Sequence, residues 1–457
     1  MSLDRRAAHR DLIALSAPIA GTQLATVVIS STDVALMGGL GVTALAAGGL
    51  AVTVFNQVRT MGVGLLTPVG NEVAVAHTLP DAGRTEDRPA DFHARDAAVR
   101  GAVRAGFLVS TVAALLGIAV IVGVGLLLPL LGQDAQVASG AWPALLAFAP
   151  GLLPYFWFQC LRQYTVGMRR PRALLLITVA SIALNAAVSA GLAYGLGMGV
   201  VGIALGTTVV QVATLAWFGA AVRRDAELAP LLAVDVWHAD RAATIRLLRL
   251  GVPTAATYGS EAGLFSVLAL LMGVIGPEAL AAHTAAYQII FLVFQVAIGL
   301  SQGGSILVSR AVAQRDPATA RDVARAALTT VTAVVAVVGA VYLMVPGPVI
   351  AAFTGGADTA TRDVAASLLL VGVVMQFADA AQNIGVGMLR GLADTAAAFR
   401  ISVVGYWLVG LPLAVLLAFG AGLDGPGIWL GLTAGLATTA VLLHRRFART
   451  LARLAPG

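Results

Sequence analysis

Residues 173–222 read ALLLITVASIALNAAVSAGLAYGLGMGVVGIALGTTVVQVATLAWFGAAV, a stretch without a single charged side chain. A helix of about 20 apolar residues is long enough to cross a hydrocarbon core of about 30 Å. The stretch is divided by Gly195-Leu196-Gly197-Met198-Gly199, and a glycine-rich segment of this kind is typical of a tight turn. These residues therefore predict two membrane-spanning helices joined by a short loop.

The rest of the chain has the same character. Of its 457 residues, 58% are hydrophobic and 11% are charged, and the mean hydropathy is +0.88. A soluble protein carries roughly 25% charged residues, so the composition excludes a soluble enzyme, a disordered chain and a disulfide scaffold. Similar apolar stretches recur and predict an all-α polytopic membrane protein with twelve transmembrane helices. The chain contains no lysine, which excludes a Walker A lysine and a lysine Schiff base.

The basic residues are distributed unevenly between the predicted loops. If the N-terminus is cytoplasmic, 27 of the 29 arginines fall in the termini or in loops on the cytoplasmic side, whereas Arg362 alone falls on the opposite side. Arg59 lies within the second predicted span. This positive-inside bias predicts a multi-pass protein of the bacterial plasma (inner) membrane with both termini in the cytoplasm.

The sequence contains an internal repeat whose two copies lie 235 positions apart. An even number of spans in each copy inserts both halves in the same orientation, as in transporters built from parallel repeats. We therefore expect two pseudo-symmetric six-helix lobes at residues 1–222 and 247–443, a cytoplasmic linker at 223–246 and a basic cytoplasmic tail at 444–457. The matches that define the repeat are Pro18 with Pro253, Thr22 with Thr257, Met37-Gly38 with Met272-Gly273, Gly41 with Gly276, Ala44-Leu45-Ala46-Ala47 with Ala279-Leu280-Ala281-Ala282, and Gly64-Leu65 with Gly299-Leu300.

Three acidic residues interrupt the predicted spans, although a charge at the centre of a membrane helix costs about 2.5–3.5 kcal/mol on insertion scales. Glu261 and Asp379 fall near the middle of their spans, and Asp33 falls in the outer part of the first span. The functional interpretation, which we favour for all three, is that the carboxylates bind Na⁺ or H⁺ and exchange it for a substrate. The alternative is a protonated or hydrogen-bonded structural acid. Asn185 supplies either a carbonyl ligand to a cation beside Asp33 or a plain interhelical hydrogen bond.

Several further residues are candidates for the lining of a transport cavity. Arg59 pairs with a carboxylate, lines a cavity or extends to the membrane surface, and a paired structural role is the favoured interpretation. His283 and Tyr287 are four positions apart and share one face of a predicted helix. Aromatic side chains such as Tyr155 suit flat organic cations, although packing explains them as well. The candidate cavity and substrate residues are His283, Tyr287, Gln288, Gln376, Arg59 and Tyr155.

Over essentially its whole length, the chain resembles the multidrug and toxic compound extrusion (MATE) family, specifically its NorM-like branch. The motifs that carry the resemblance are the apolar segment from Leu12 to Met37 with Pro18 and Asp33, Glu261 in Glu-x-x-Leu-Phe, Ala281-Ala282-His283, the loop from Ser309-Arg310 to Asp316, Gln376-Phe377-Ala378-Asp379, and Met388-Leu389-Arg390-Gly391-Leu392-Ala393-Asp394-Thr395.

The resemblance implies two six-helix lobes around a central cleft and export of cationic amphipathic drugs by alternating access, in exchange for Na⁺ or H⁺. It places the coupling cation at Glu261 and Asp379, where the ion is either Na⁺ or H⁺, and a second cation site at Asp33 and Asn185. It implies no cofactor other than the coupling ion. Three positions depart from the family pattern, namely Ser181, Thr284 and Arg59.

The sequence thus predicts a transporter, not an enzyme, that acts as a monomer on small organic cations in contact with membrane lipid, and that does not bind nucleic acid. A flippase for lipid-linked oligosaccharides from the same superfamily is one alternative, but its anionic headgroup requires several intramembrane arginines and only Arg59 is present. An intramembrane aspartyl protease is a less favoured alternative, because one member of the acid pair is a glutamate.

Overall fold

The computed structural model describes residues 5–78, 90–131, 135–354 and 359–454. These residues form sixteen α-helices and contain no β-strand, which confirms the all-α prediction. Arg84 and Arg88, two of the arginines predicted to lie in cytoplasmic loops, and the last three residues of the predicted tail lie outside the described residues. The helices are α1 (Arg5–Gly39), α2 (Val42–Leu66), α3 (Pro68–His77), α4 (Ala90–Leu127), α5 (Ala135–Phe148), α6 (Leu152–Gly167), α7 (Arg172–Ala190), α8 (Gly199–Arg224), α9 (Arg241–Ile275), α10 (Pro277–Ala313), α11 (Pro317–Met344), α12 (Pro346–Thr354), α13 (Thr359–Gly391), α14 (Thr395–Val403), α15 (Leu411–Val415) and α16 (Asp424–Leu454).

Eleven helical segments within the described residues are long and apolar enough to cross a membrane. Twelve spans are expected from the sequence, and the segment that does not reach this hydropathy is the second predicted span, which corresponds to α2 and α3. Its 25-residue helix α2 contains Asn56, Gln57 and Arg59, and these polar side chains lower its hydropathy. The chain is therefore a polytopic helical membrane protein whose second span is unusually polar.

Contacts between Cα atoms divide the chain into two compact units. We call Gly21–Ala255 the N-terminal unit, and Met1–Ala20 together with Ala256–Gly457 the C-terminal unit. The predicted lobes have other boundaries, because the sequence pointed to the polar linker at 223–246 and not to the helices α1 and α9. Each boundary follows a proline by two residues, Pro18 in α1 and Pro253 in α9. A proline inside a helix removes one backbone hydrogen bond, and a helix can change direction there.

Close packing at two glycines of the repeat accounts for these boundaries. A Cβ atom on Gly64 would lie 2.8 Å from the Cα of Ala255, and a Cβ on Gly299 would lie 2.7 Å from the Cα of Ala20. Both the glycines and the alanines are 235 positions apart. The second residue after each proline is thus packed against a glycine of its own unit, at equivalent places in the two copies.

The repeat continues beyond the matches seen in the sequence, but in a different register. Helices α6 and α13 are each followed by a turn that contains one residue of positive φ. This residue is Arg169 after α6, with a φ of 60°, and Ala393 after α13, with a φ of 59°. In each turn the next amide N–H bonds to the carbonyl five residues earlier, at 2.8 and 2.9 Å, which is the Schellman arrangement. The equivalent residues are 224 positions apart. We therefore treat residues of α6 and α13 that are 224 positions apart as equivalent.

A third register relates α7 and α8 to residues 395–454. The π-helical turns Gly191–Gly195 and Leu416–Gly420 are 225 positions apart, and each precedes a glycine of positive φ, Gly197 at 67° and Gly422 at 69°. A further π-helical segment spans Val404–Gly410. Each unit thus contains the same helical arrangement, with connections of slightly different length.

The predicted linker at 223–246 is part of the N-terminal unit and packs on two of its helices. The Tyr164 hydroxyl donates to the Leu228 carbonyl at 2.7 Å, and the Arg104 guanidinium binds Asp235 at 2.7 Å. Arg170 forms ion pairs with Asp225 and Glu227. The linker is therefore held to α4 and α6 by directional polar contacts.

Candidate functional site

The C-terminal unit contains a buried acidic cluster, which we define as Glu261, Asp379, Gln382, Asn383 and Tyr406. Glu261 lies on α9, whereas Asp379 lies on α13, and both residues are buried and close enough to interact electrostatically. The Gln382 amide donates to Glu261 Oε1 at 3.4 Å, and the Tyr406 hydroxyl donates to Gln382 Oε1 at 3.0 Å. The structure therefore brings together the two acids that the sequence singled out.

The spacing of residues on α13 explains the local geometry of Asp379. Side chains four positions apart are neighbours on a helix surface, and the Asn383 amide donates to Asp379 Oδ1 at 3.1 Å. Gln382 is three positions from Asp379 and reaches Glu261 instead. One turn of α13 thus supplies an acid and two amides, whose carbonyl oxygens are suitable ligands for a hard cation.

His283 and Tyr287 lie beside the acidic cluster. Both are on α10, and their rings stack with centroids 6.1 Å apart. His283 is buried, and its Nδ1 accepts a hydrogen bond from the Trp429 indole at 3.1 Å. Tyr287 is close enough to interact electrostatically with Glu261 and Asp379. Tyr287 is therefore the neighbour of the acids, whereas His283 contacts the rings of Tyr287 and Trp429.

The two glutamines among the cavity candidates lie in different environments. Gln376 is buried on α13, three positions before Asp379. Gln288 is exposed on α10, and so the structure places it outside the buried acidic cluster. Burial, which the sequence alone does not give, separates these two residues.

In the N-terminal unit, Asp33 and Asn185 belong to one hydrogen-bond network. The Thr207 hydroxyl donates to Asp33 Oδ2 at 2.8 Å, and the Asn185 amide nitrogen lies 3.3 Å from the Thr207 hydroxyl oxygen. All three residues are buried. The second oxygen of Asp33 and the Oδ1 of Asn185 have no hydrogen-bond partner among the described residues. Two unpaired buried oxygens of this kind are suitable for a cation.

A cavity lies next to this network, and its empty space amounts to about 550 Å³, part of it continuous with solvent. The Arg59 guanidinium lies 5.4 Å from the centroid of the Tyr155 ring, which is a cation–π contact. Both residues therefore line a cavity, which is one of the roles left open for each by the sequence. The cavity lining consists of Thr26, Ile29, Arg59, Tyr155, Phe158, Thr178, Ser181, Asn185, Thr207, Val210, Gln211 and Thr214.

Sequence reasoning missed Gln382, Asn383, Tyr406 and Thr207. The signal for the two amides was their helical spacing from Asp379, whereas nothing in the sequence indicated Tyr406 or Thr207, which come from other helices. The sequence also placed Arg162 and Arg390 in cytoplasmic loops, although both are buried in helices. Arg162 bonds to Gln23 and Gln159, and Arg390 to Ser305, Ser301 and Tyr258.

Buried acids and unpaired carbonyl oxygens inside apolar helices, repeated on one scaffold, define a class of protein: a helical transporter built from two homologous halves. The MatE family profile matches residues 94–190 and 253–416. The chain belongs to this multidrug and toxic compound extrusion (MATE) family, and within it is a NorM-like transporter.

Its curated relatives cover nearly the whole chain. It is 34% identical over 454 residues to the "Probable multidrug resistance protein NorM" of Pseudomonas aeruginosa, an alignment that covers 97% of this chain and 90% of the relative. It is also 34% identical over 463 residues to the "Multidrug resistance protein NorM" of Burkholderia vietnamiensis, covering 98% of this chain and 94% of the relative.

Solved structures of lower sequence identity share the fold. The eukaryotic MATE transporter AtDTX14 superposes with a TM-score of 0.84 at 19% identity, covering 98% of both chains. An outward-facing multidrug resistance MATE family transporter gives a TM-score of 0.85 at 17% identity, covering 98% of this chain and 96% of the other. The members of this family are transporters and not enzymes.

Proposed function

We propose that this chain is an antiporter that exports cationic amphipathic compounds in exchange for Na⁺ or H⁺ by alternating access. The observation that carries the proposal is the pair of buried carboxylates at Glu261 and Asp379, which are close enough to interact electrostatically. Two neighbouring carboxylates in a medium of low dielectric cannot both ionise at low cost, so a bound cation stabilises the pair.

Competition for these acids supplies the coupling. An organic cation and a coupling cation that neutralise the same carboxylates favour each other's release. Export follows if the acids bind the organic cation when open to the cytoplasm and the coupling cation when open to the opposite side. In this scheme Tyr287 presents an aromatic ring beside the acids, and the ring provides a face for an organic cation.

Asp33 and Asn185 form the second cation site of the proposal. Support comes from their unpaired oxygens in a buried network. The Thr207 hydroxyl completes the site, because it donates to Asp33 and keeps the carboxylate in place. We further propose that the protein acts as a monomer in the bacterial plasma membrane, with both termini in the cytoplasm.

Proteoliposomes test the proposal directly. Efflux of fluorescent ethidium is followed while a Na⁺ gradient and a pH gradient are imposed separately on wild type, Glu261→Gln and Asp379→Asn. Glu278→Gln and Asp363→Asn are matched controls, since both residues are exposed acids of the same unit.

We expect one gradient to drive efflux and each cluster variant to reduce it at least about tenfold, which corresponds to 1.4 kcal/mol in the barrier, while the controls remain active. Efflux that persists in both cluster variants contradicts the assignment of the coupling cation to this pair. No driven efflux of ethidium or another organic cation by correctly folded wild type contradicts the antiporter proposal itself.

A further inference from the structure

Two arginines lie at the same level on neighbouring helices of the C-terminal unit, Arg400 on α14 and Arg445 on α16. Glycines later in α16 pack on residues earlier in the preceding span, so the two elements run antiparallel. They meet where a Cβ atom on Gly405 would collide with the side chain of Thr439. Arg400 precedes Gly405 by five positions, and Arg445 follows Thr439 by six. At a rise of 1.5 Å per residue, both arginines therefore lie about 8–9 Å from this contact in the same direction.

This level coincides with one edge of the hydrocarbon core of the membrane. The span that begins at Thr395 carries no charged residue between Arg400 and its end, over residues 401–420. Helix α16 carries none over residues 425–443, which end just before Arg445. Each of these stretches is about 30 Å long at 1.5 Å per residue, which is the thickness of the hydrocarbon core. Both arginines therefore lie at the level where the phosphate groups of the lipids begin.

Both arginines point away from the interior of the unit. Ser402 follows Arg400 by two positions and Phe447 follows Arg445 by two, and both of these residues are buried, whereas the arginines are exposed. Two positions along an α-helix turn the side chain by about 200°, so the guanidinium groups lie on the outward face. Arg449 is exposed four positions after Arg445 and shares this face. We call Arg400, Arg445 and Arg449 the outward arginines.

No outward arginine is paired with an acid in the part of the chain that the structure describes. The acid at this end of the two helices, Asp394, binds Arg446 at 2.8 Å. Residues 395–454 contain one further acid, Asp424, which lies at the opposite end of α16. Arg400 donates from Nε to the Ala396 carbonyl at 3.3 Å, and its terminal nitrogens point to no acceptor within the described residues. Like charges on one face repel each other, so an anion bound between these side chains stabilises the arrangement.

Exposed aliphatic side chains continue this outward face towards the centre of the membrane. Val404 lies four positions after Arg400, Leu408 lies four positions further on, and both are exposed. On α16, Val441 is exposed four positions before Arg445. Groups that bind phosphate at the level of the lipid headgroups are thus adjacent to an apolar surface at the level of the acyl chains. This combination fits a phospholipid better than a free, water-soluble phosphate.

We propose that the outward arginines bind the headgroup phosphate of an anionic phospholipid, whose acyl chains lie along Val404, Leu408 and Val441. The axes of packed helices are about 8–10 Å apart, so long arginine side chains from both helices reach one phosphate and donate several hydrogen bonds to it. Basic pockets between membrane helices recognise anionic headgroups in this way. A zwitterionic headgroup is disfavoured, because the three arginines repel its ammonium group. This inference does not depend on the proposed export function, since lipid binding is measured without transport.

The test is native mass spectrometry of the purified full-length protein in detergent, titrated separately with dioleoyl phosphatidylglycerol and dioleoyl phosphatidylcholine. We expect the anionic lipid to bind at least about tenfold more tightly, because three arginines near the membrane surface attract its headgroup. The double variant Arg400→Gln/Arg445→Gln should lower the affinity for phosphatidylglycerol to that for phosphatidylcholine. The matched control Arg321→Gln/Arg325→Gln removes the same charge from two exposed arginines of α11, which share their helix with the acid Asp322. The control should bind phosphatidylglycerol as wild type does.

Three results overturn the inference: equal affinities of wild type for the two lipids, unchanged binding of phosphatidylglycerol by the double variant, or an equal loss of binding in the control. Glycerol 3-phosphate, which has the phosphate but no acyl chains, should not compete at the same concentration, and effective competition would show a site for free phosphate instead. If the double variant fails to fold, the single variants Arg445→Gln and Arg449→Gln, both at exposed positions, replace it. Each should weaken phosphatidylglycerol binding several-fold, and unchanged binding in both would contradict the proposed site.

Discussion

Replacement of Gly431 by alanine tests the packing that positions Tyr406. A Cβ atom at Gly431 of α16 would lie 2.1 Å from the backbone nitrogen of Ala414 in α15, whereas ordinary contacts begin at 3.4 Å. The helices must separate by more than about 1 Å, and overpacking of this kind costs typically 1–3 kcal/mol. The higher helix propensity of alanine offsets about 0.5–1 kcal/mol of this destabilisation. We expect a net destabilisation of about 1–2 kcal/mol.

The measurement is the fraction of protein that remains monodisperse in size-exclusion chromatography after heating in detergent. At about 2–4 °C per kcal/mol for a unit of this size, Gly431→Ala should lower the midpoint by about 2–8 °C. Gly273→Ala is the matched control, because the added Cβ would lie 3.8 Å from Leu280 and meets nothing closer; it should be neutral or stabilising. Equal midpoints for the two variants would refute the packing argument.

Three further predictions concern the helix ends and the linker. Ala393→Gly should raise the free energy of unfolding by roughly 1 kcal/mol, and the thermal midpoint with it, because Ala393 has a φ of 59° that costs an L-residue about that amount. Ala398→Gly in the helix α14 should lower both quantities. Tyr164→Phe should cost about 1 kcal/mol, measured in the same way, since its buried hydroxyl donates to Leu228; an unchanged midpoint would be incompatible with that bond. Burial raises the pKa of Asp225, but hydrogen bonds from the amides of Glu227 and Leu228 and the charge of Arg170 bring the pKa below its ordinary value. The linker should thus keep its stability above about pH 4 and lose it as the pH falls through the lowered pKa. Hydrogen–deuterium exchange of the Glu227 and Leu228 amides, corrected for the intrinsic rate, should show this loss in wild type and no pH dependence in Asp225→Asn.

Much of the fold follows from sequence. The lack of charge in residues 173–222 predicts two helices with a glycine turn, and the structure has α7, a π-helical turn and α8 there. The repeat visible at 235 positions is matched by the equivalent contacts of Gly64 and Gly299. The registers of 224 and 225 were not visible, because the loops between the helices differ in length and few side chains match.

The candidate site was predictable in part. Glu261 and Asp379 stand out because a charge in an apolar helix is costly, and the structure places them together, while their role in coupling stays a prediction. Tyr406 could not be found, since an aromatic residue in a membrane helix is usually packing. Ser181 is informative only by comparison, because the position 225 residues later in the other copy carries the large side chain of Tyr406. Such a difference in size is visible only when the two copies are aligned.

The duplicated arrangement has an evolutionary consequence. Each of the two binding regions lies within its own unit, and substitutions that share no partners have additive effects. A new side chain at Ser181 or Arg59 can therefore change which chemical groups one half recognises while the acids of the other half continue unaltered. In the proposed antiporter, duplication thus provides two pockets that selection can change separately, so that the range of compounds can broaden while the acids of the C-terminal unit keep the coupling cation.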